Sequence, residues 1–170
     1  MGTLDAGFTL DPLHAALLIT DPQTDLGPGD TSRGVLGRGV ERGTTASNIE
    51  RLLGAARHAK MVVVVAPHYC YPNDQRWGFG GVLPECRPYL LSDRTIIASP
   101  HRTWHSDDHV LVTQLRRYHV GQIILVGTWA NFCVEAYLRI LLERGFEVAV
   151  VGNATAAPIV DALWSAEQAA

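Results

Sequence analysis

Lysine is nearly absent from this chain. Of 14 basic residues in 170, only Lys60 is a lysine, and the arginines are scattered without a basic block. With a formal net charge of −3, no electrostatic surface for nucleic acid or an anionic membrane is expected. Cysteine is sparse too: Cys70, Cys86 and Cys133 form an odd set with no C-x-x-C spacing. That excludes a disulfide framework and a zinc ribbon. No apolar run approaches the ~18 residues of a membrane span, and no basic-then-apolar leader is seen. The expectation is a reduced, cytoplasmic protein without membrane or nucleic-acid partners.

What the chain does have is apolar periodicity. At this length one domain, residues 1–170, is the natural reading. Five segments read as buried strands: His14 to Thr20, Met61 to Ala66, Arg94 to Ala98, Gln122 to Val126 and Phe146 to Val151. Helical spacing marks Thr45 to Lys60, where Ile49, Leu52, Leu53 and Ala56 share a face. Ser106 can cap a helix running to about Tyr118. Phe132 to Arg144 reads as another, with Val134, Leu138, Leu141 and Leu142 on one side and Gly145 as its stop. Asp161 to Ala169 is the expected last helix. Strands that are apolar throughout and alternate with helices predict an α/β fold, a doubly wound parallel sheet covered on both faces. The Gly-rich stretch 27–43 is longer than an ordinary connection and is a candidate lid.

Ligands of such folds bind beyond the carboxyl ends of the strands, where strand order reverses. The residues leaving those ends are Asp21, His68, Ser99 to Arg102, and Trp129 to Cys133. Cys133 stands at a strand-to-helix turn, where unpaired backbone N–H groups and the helix dipole favour a thiolate. It is the candidate nucleophile.

Asp21, Gln23 and Asp25 form a D-x-Q-x-D motif at the end of the first strand, and Gly127 to Glu135 read G-T-W-A-N-F-C-V-E. This pair resembles the isochorismatase-like cysteine hydrolases, a superfamily that includes nicotinamidases and N-carbamoylsarcosine amidohydrolases. The resemblance spans roughly His14 to Thr155. It implies a six-stranded parallel sheet between helices, a Rossmann-like three-layer arrangement. It implies a catalytic triad of Asp, Lys and Cys, with Asp21 as the general base and Cys133 as the nucleophile that forms a thioester. It further implies a cis peptide between Thr128 and Trp129, and an oxyanion hole from the backbone N–H groups of Trp129 and Cys133. A homo-oligomer, dimer or tetramer, and no cofactor are also implied.

The lysine of that triad has no counterpart. The segment after the third strand reads Ala98-Ser99-Pro100-His101-Arg102. Ser99 takes the simplest aligned position and Arg102 is the nearest cation. Arginine could stabilise Asp21 and a thiolate but does not donate a proton near neutral pH. The alternatives are that Arg102 fills the role or that the triad is incomplete. The pocket-lining candidates are Gln23, His68, Tyr69, Trp77, Ser99, Thr128 and Phe132. His68 lacks the Asp-x-His context of a nicotinamidase metal site and reads as a pocket hydrogen-bonder. His101, His105 and His109 are spaced four apart, but Pro100 and the cap at Ser106 break the helix they would need, so no metal is expected. Cys133 to Arg139 also fits C-x5-R, yet its helical interior and Glu135 are wrong for a phosphate loop.

The expected function is hydrolysis of a C–N bond in a small amide, ureide or carbamoyl compound. One alternative is a non-catalytic binding or scaffold subunit that lost its lysine. Another is an isochorismatase-type vinyl ether hydrolase, against which the retained Cys133 argues.

Overall fold

The computed structural model describes residues 9–22, 40–67, 82, 86–99, 108–128 and 133–156. In chain order the elements are β1 (Ala15–Thr20), α1 (Val40–His58), β2 (Val62–Ala66), β3 (Thr95–Ile97), α2 (Asp108–Arg117), β4 (Gln122–Thr128), α3 (Glu135–Glu143) and β5 (Glu147–Ala156). Short 3₁₀ turns cover Pro12–His14 and Arg87–Tyr89.

The strands pair in the order β3-β2-β1-β4-β5, and every pairing is parallel. β1 and β2 are buried along their whole lengths, as continuous apolar runs in a two-faced sheet must be. The two faces separate by alternation along each strand. On one face Ala16, Leu18, Val62, Val64, Ile123 and Leu125 pack against α2 and α3. On the other, Leu17, Ile19, Val63, Val65 and Val126 pack against α1. Helices on both faces make the sheet doubly wound, in three layers. Five strands lie among the described residues, one fewer than the six expected.

Three features differ from the sequence reading. α1 begins at Val40, inside the Gly-rich stretch assigned to a lid. A glycine such as Gly43 costs a helix only about 1 kcal/mol. The buried stripe of Thr45, Ile49, Leu53 and Ala56 downstream outweighs that. On α3, Leu142 is 52% exposed, and Tyr137 takes its place in the core with Val134 and Leu141. Positions 134, 137, 138 and 141 follow the three-four spacing of one helix face, and 142 falls on its flank.

β5 runs on to Ala156 through an irregularity. Leu125 pairs with Val150, but Gly127 pairs with Thr155, so part of β5 is looped out of the ladder. The excursion turns toward α1: Asn48 Nδ2 donates to the Asn153 carbonyl at 2.7 Å, and Ala154 is fully buried on the α1 face. The Gly152-Asn153 pair, unusual inside a strand, is its sequence signal. The expected helix 161–169 lies outside the described residues.

Candidate active site

β1 connects to β2 on one side, while the chain crosses from β3 to β4 on the other. The reversal of strand order therefore falls between β1 and β4, and in folds of this kind the ligand crevice lies at that point, at the carboxyl ends. Thr20 pairs with Ala66 on one flank and with Gly127 on the other. One step further, Asp21 stands level with Pro67 and Thr128, and Thr128 pairs with Ala156. The Asp21 N–H continues the ladder by donating to the Ala66 carbonyl at 2.9 Å.

Asp21 is left-handed, with φ 47°, and its side chain is fully buried. Aspartate is among the few residues that tolerate this conformation. The turn ends the strand and leaves a buried carboxylate at the carboxyl end of β1.

Cys133 lies two residues before α3, in a wide turn that opens the helix, and it is 1% exposed. The Asp21 carboxylate is close enough to the thiol to act on it electrostatically. Burial first, then the negative charge of Asp21, pushes the thiol far above its ordinary value of 9.0. This corrects the expectation that the helix dipole makes Cys133 a thiolate. A dipole effect of about 0.3–1 kcal/mol is outweighed by desolvation and an adjacent carboxylate. Among the described residues the resting pair is a thiol beside a carboxylate.

β4 approaches β1 very closely at this point. Gly127 has φ 133°, and a Cβ there would lie 2.7 Å from the Thr20 nitrogen and closer still to the Thr20 carbonyl oxygen and Oγ1. Thr20 is itself fully buried, and its Oγ1 donates to the Val126 carbonyl at 3.4 Å. Thr20 and Gly127 were not singled out from sequence. The signal was the glycine ending an apolar strand, which marks a close backbone approach.

Ser99 is exposed at the carboxyl end of β3. Two strand spacings, about 10 Å, separate it from Asp21, so its short side chain does not reach the carboxylate. Lys60, the lone lysine, precedes β2 at the amino end of the sheet. Thr128 is placed as the last residue of β4. Gln23, His68, Tyr69, Trp77, Arg102, Trp129 and Phe132 lie outside the described residues, as does the Thr128–Trp129 bond. Among the described residues no group of three or more His, Cys, Asp or Glu could hold a metal, and no helix is long and apolar enough to cross a membrane.

A doubly wound parallel sheet with a buried Asp and Cys facing each other at its reversal point defines a class of α/β proteins with a candidate thiol site. The family model for the isochorismatase domain matches residues 15–167, and the chain belongs to that family. No curated protein matches it in sequence. Among solved structures it is similar to a cysteine hydrolase from Pseudomonas syringae pv. phaseolicola 1448A. That match has TM-score 0.70 and 22% identity, and covers 93% of this chain and 79% of the other. The N-carbamoylsarcosine amidase of Thermoplasma acidophilum matches with TM-score 0.66 and 22% identity over 85% of each chain. The pyrazinamidase/nicotinamidase of Streptococcus mutans UA159 matches with TM-score 0.69 and 17% identity, over 91% of this chain and 93% of its own. At these identities the likeness is one of fold.

Proposed function

We propose that this isochorismatase-family protein is a cysteine hydrolase that cleaves a C–N bond in a small amide, ureide or carbamoyl compound. The observation that carries the reading is the buried Asp21 carboxylate against the buried Cys133 thiol at the reversal point of the sheet. A carboxylate in that position is a general base for the thiol proton. Sulfur attacks the carbonyl carbon as the proton passes to Asp21. The tetrahedral intermediate collapses, and the departing amine takes that proton, leaving a thioester. Water then gives its proton to Asp21 and its oxygen to the acyl carbon, and the thiol is regenerated. Backbone N–H groups of Trp129 and Cys133 are the proposed oxyanion donors.

The raised thiol value gives the cation a specific task. Proton transfer to Asp21 is uphill in this buried pair, and a positive charge lowers that cost by stabilising the thiolate. We assign this task to Arg102, since Ser99 is too far and too short and Lys60 is at the wrong end of the sheet. The amidases among the similar structures support C–N chemistry. Self-association belongs to the same reading and is read by light scattering of the purified protein.

The test is ammonia release from a panel of small amides, ureides and carbamoyl compounds, with Cys133→Ser alongside. Turnover abolished by Cys133→Ser supports the proposal. A second reading, a non-catalytic binding subunit, draws on the thiol being held protonated by burial and the Asp21 charge. It predicts no turnover on any member of the panel and no trapped thioester.

A further inference from the structure

At the amino end of the sheet, away from Asp21 and Cys133, a cavity of about 380 Å3 opens between the last turn of α1 and the loop entering β3. Its wall carries three cations from separate positions: Arg57 in α1, Lys60 in the turn after it, and Arg94 just before β3. Asp93 is the one carboxylate among the described lining residues. No carboxylate among the described residues pairs with any of the three cations. In a chain where acids outnumber bases 17 to 14, unpaired cations gathered around one cavity run against composition.

Arg94 shows the imbalance most directly. Its guanidinium stands 5.9 Å from the centre of the Tyr118 ring, and its Nε is buried without a hydrogen-bond partner. Leaving a buried charged donor unmet is costly, and an anion accepting from it would remove the cost. The carboxyl end of α1 accounts for basic residues at Arg57 and Lys60, because the helix dipole welcomes cations there. It does not account for Arg94, which comes from another element. Among the described residues, three positive charges against Asp93 and a dipole end of about −0.5 leave roughly +1.5 at the cavity.

We propose that this cavity binds a phosphate monoester of a small organic molecule. A phosphate monoester carries about −1.5 to −2 at pH 7, which matches the charge left over. A singly charged carboxylate would leave the cluster uncompensated. The apolar part of the ligand would lie on Met61 and Val63, which form a buried floor, and near Leu91, which is 88% exposed. This proposal does not depend on the hydrolase reading.

The test is calorimetric titration of the full chain with phenyl phosphate, inorganic phosphate and benzoate at low and high salt. Phenyl phosphate is expected to bind saturably, tighter than either comparator, and to weaken as salt rises. Arg57→Gln and Lys60→Gln, both at exposed positions, should each weaken it about tenfold with thermal midpoints unchanged. Cys133→Ser should leave it unaltered, which separates this site from the catalytic crevice. Absence of saturable binding, or binding indifferent to both basic substitutions, overturns the proposal. Equal affinity for benzoate overturns the assignment to phosphate. Equal affinity for inorganic phosphate keeps the phosphate site and overturns the organic part.

Discussion

Gly127 on β4 presses against Thr20 on β1 so closely that no side chain fits between them. The approach sits one residue before the level of Asp21, so it holds together the two strands that deliver the carboxylate and the cysteine. It combines a positive φ with a filled Cβ position, and each penalises any residue but glycine.

Gly127→Ala is therefore expected to destabilise the protein by about 2–4 kcal/mol, from backbone strain and overpacking together. Gly54→Ala is the matched control. It lies inside α1 with nothing within 4 Å of a built Cβ. That substitution should be neutral or stabilising by up to about 1 kcal/mol, because alanine is the better helix former. Urea unfolding of the two variants reads the difference. Equal midpoints would remove the case for a close approach at Gly127.

The Cys133 thiol should alkylate slowly near neutral pH. Its value lies above the ordinary 9.0, with burial the leading cause and Asp21 next. Asp21→Asn removes the charge, so the rate profile with iodoacetamide should move to lower pH while staying above that of an exposed thiol. Peptide mass spectrometry distinguishes Cys133 from Cys70 and Cys86. Fast alkylation of the unaltered protein at pH 7 would contradict the buried thiol–carboxylate pair.

The same group contributes to stability against pH, with a definite sign. A folded-state value raised above the unfolded 9.0 means the folded chain holds the proton longer. The contribution is full below 9.0 and is lost progressively as pH climbs from 9.0 toward the folded value. Cys133→Ala should flatten the alkaline limb of a stability–pH curve measured by denaturant unfolding. An unchanged limb would mean other groups govern it.

Leu141 and Leu142 are neighbours in sequence with opposite fates. Leu141 is 1% exposed and Leu142 is 52% exposed. Leu141→Ala should cost about 2–5 kcal/mol through lost burial and a residual cavity. Leu142→Ala should cost under about 1 kcal/mol. Thermal and urea unfolding check both, and comparable losses would place α3 in a different rotation against the sheet.

For catalysis, Cys133→Ser and Asp21→Asn should each lower kcat by at least about a thousandfold, since residues of one catalytic unit fail together. Arg102→Ala should lower kcat strongly with a smaller change in KM, and Arg102→Lys should recover part of it. Ser99→Ala should leave kcat within a few-fold. Loss of activity at Ser99 with none at Arg102 would reverse the assignment of the cation.

The sequence alone carried the α/β class and the two-faced sheet, because these rest on local signals, while the pairing of Asp21 with Cys133 was an expectation drawn from the family resemblance. Apolar runs without alternation mark strands buried on both faces, helical spacing marks the covering layers, and two short motifs mark the ends of β1 and β4. Other features depended on contacts between residues distant in sequence. Periodicity over α3 put Leu142 on the buried side where the structure puts Tyr137, because burial depends on how the helix rolls against the sheet. The looped-out part of β5 meets α1 at Asn48, a contact across about a hundred residues of chain. The resting state of Cys133 was read from its local position as a thiolate. Only the tertiary structure, by burying the sulfur beside the Asp21 charge, decided that it is a thiol.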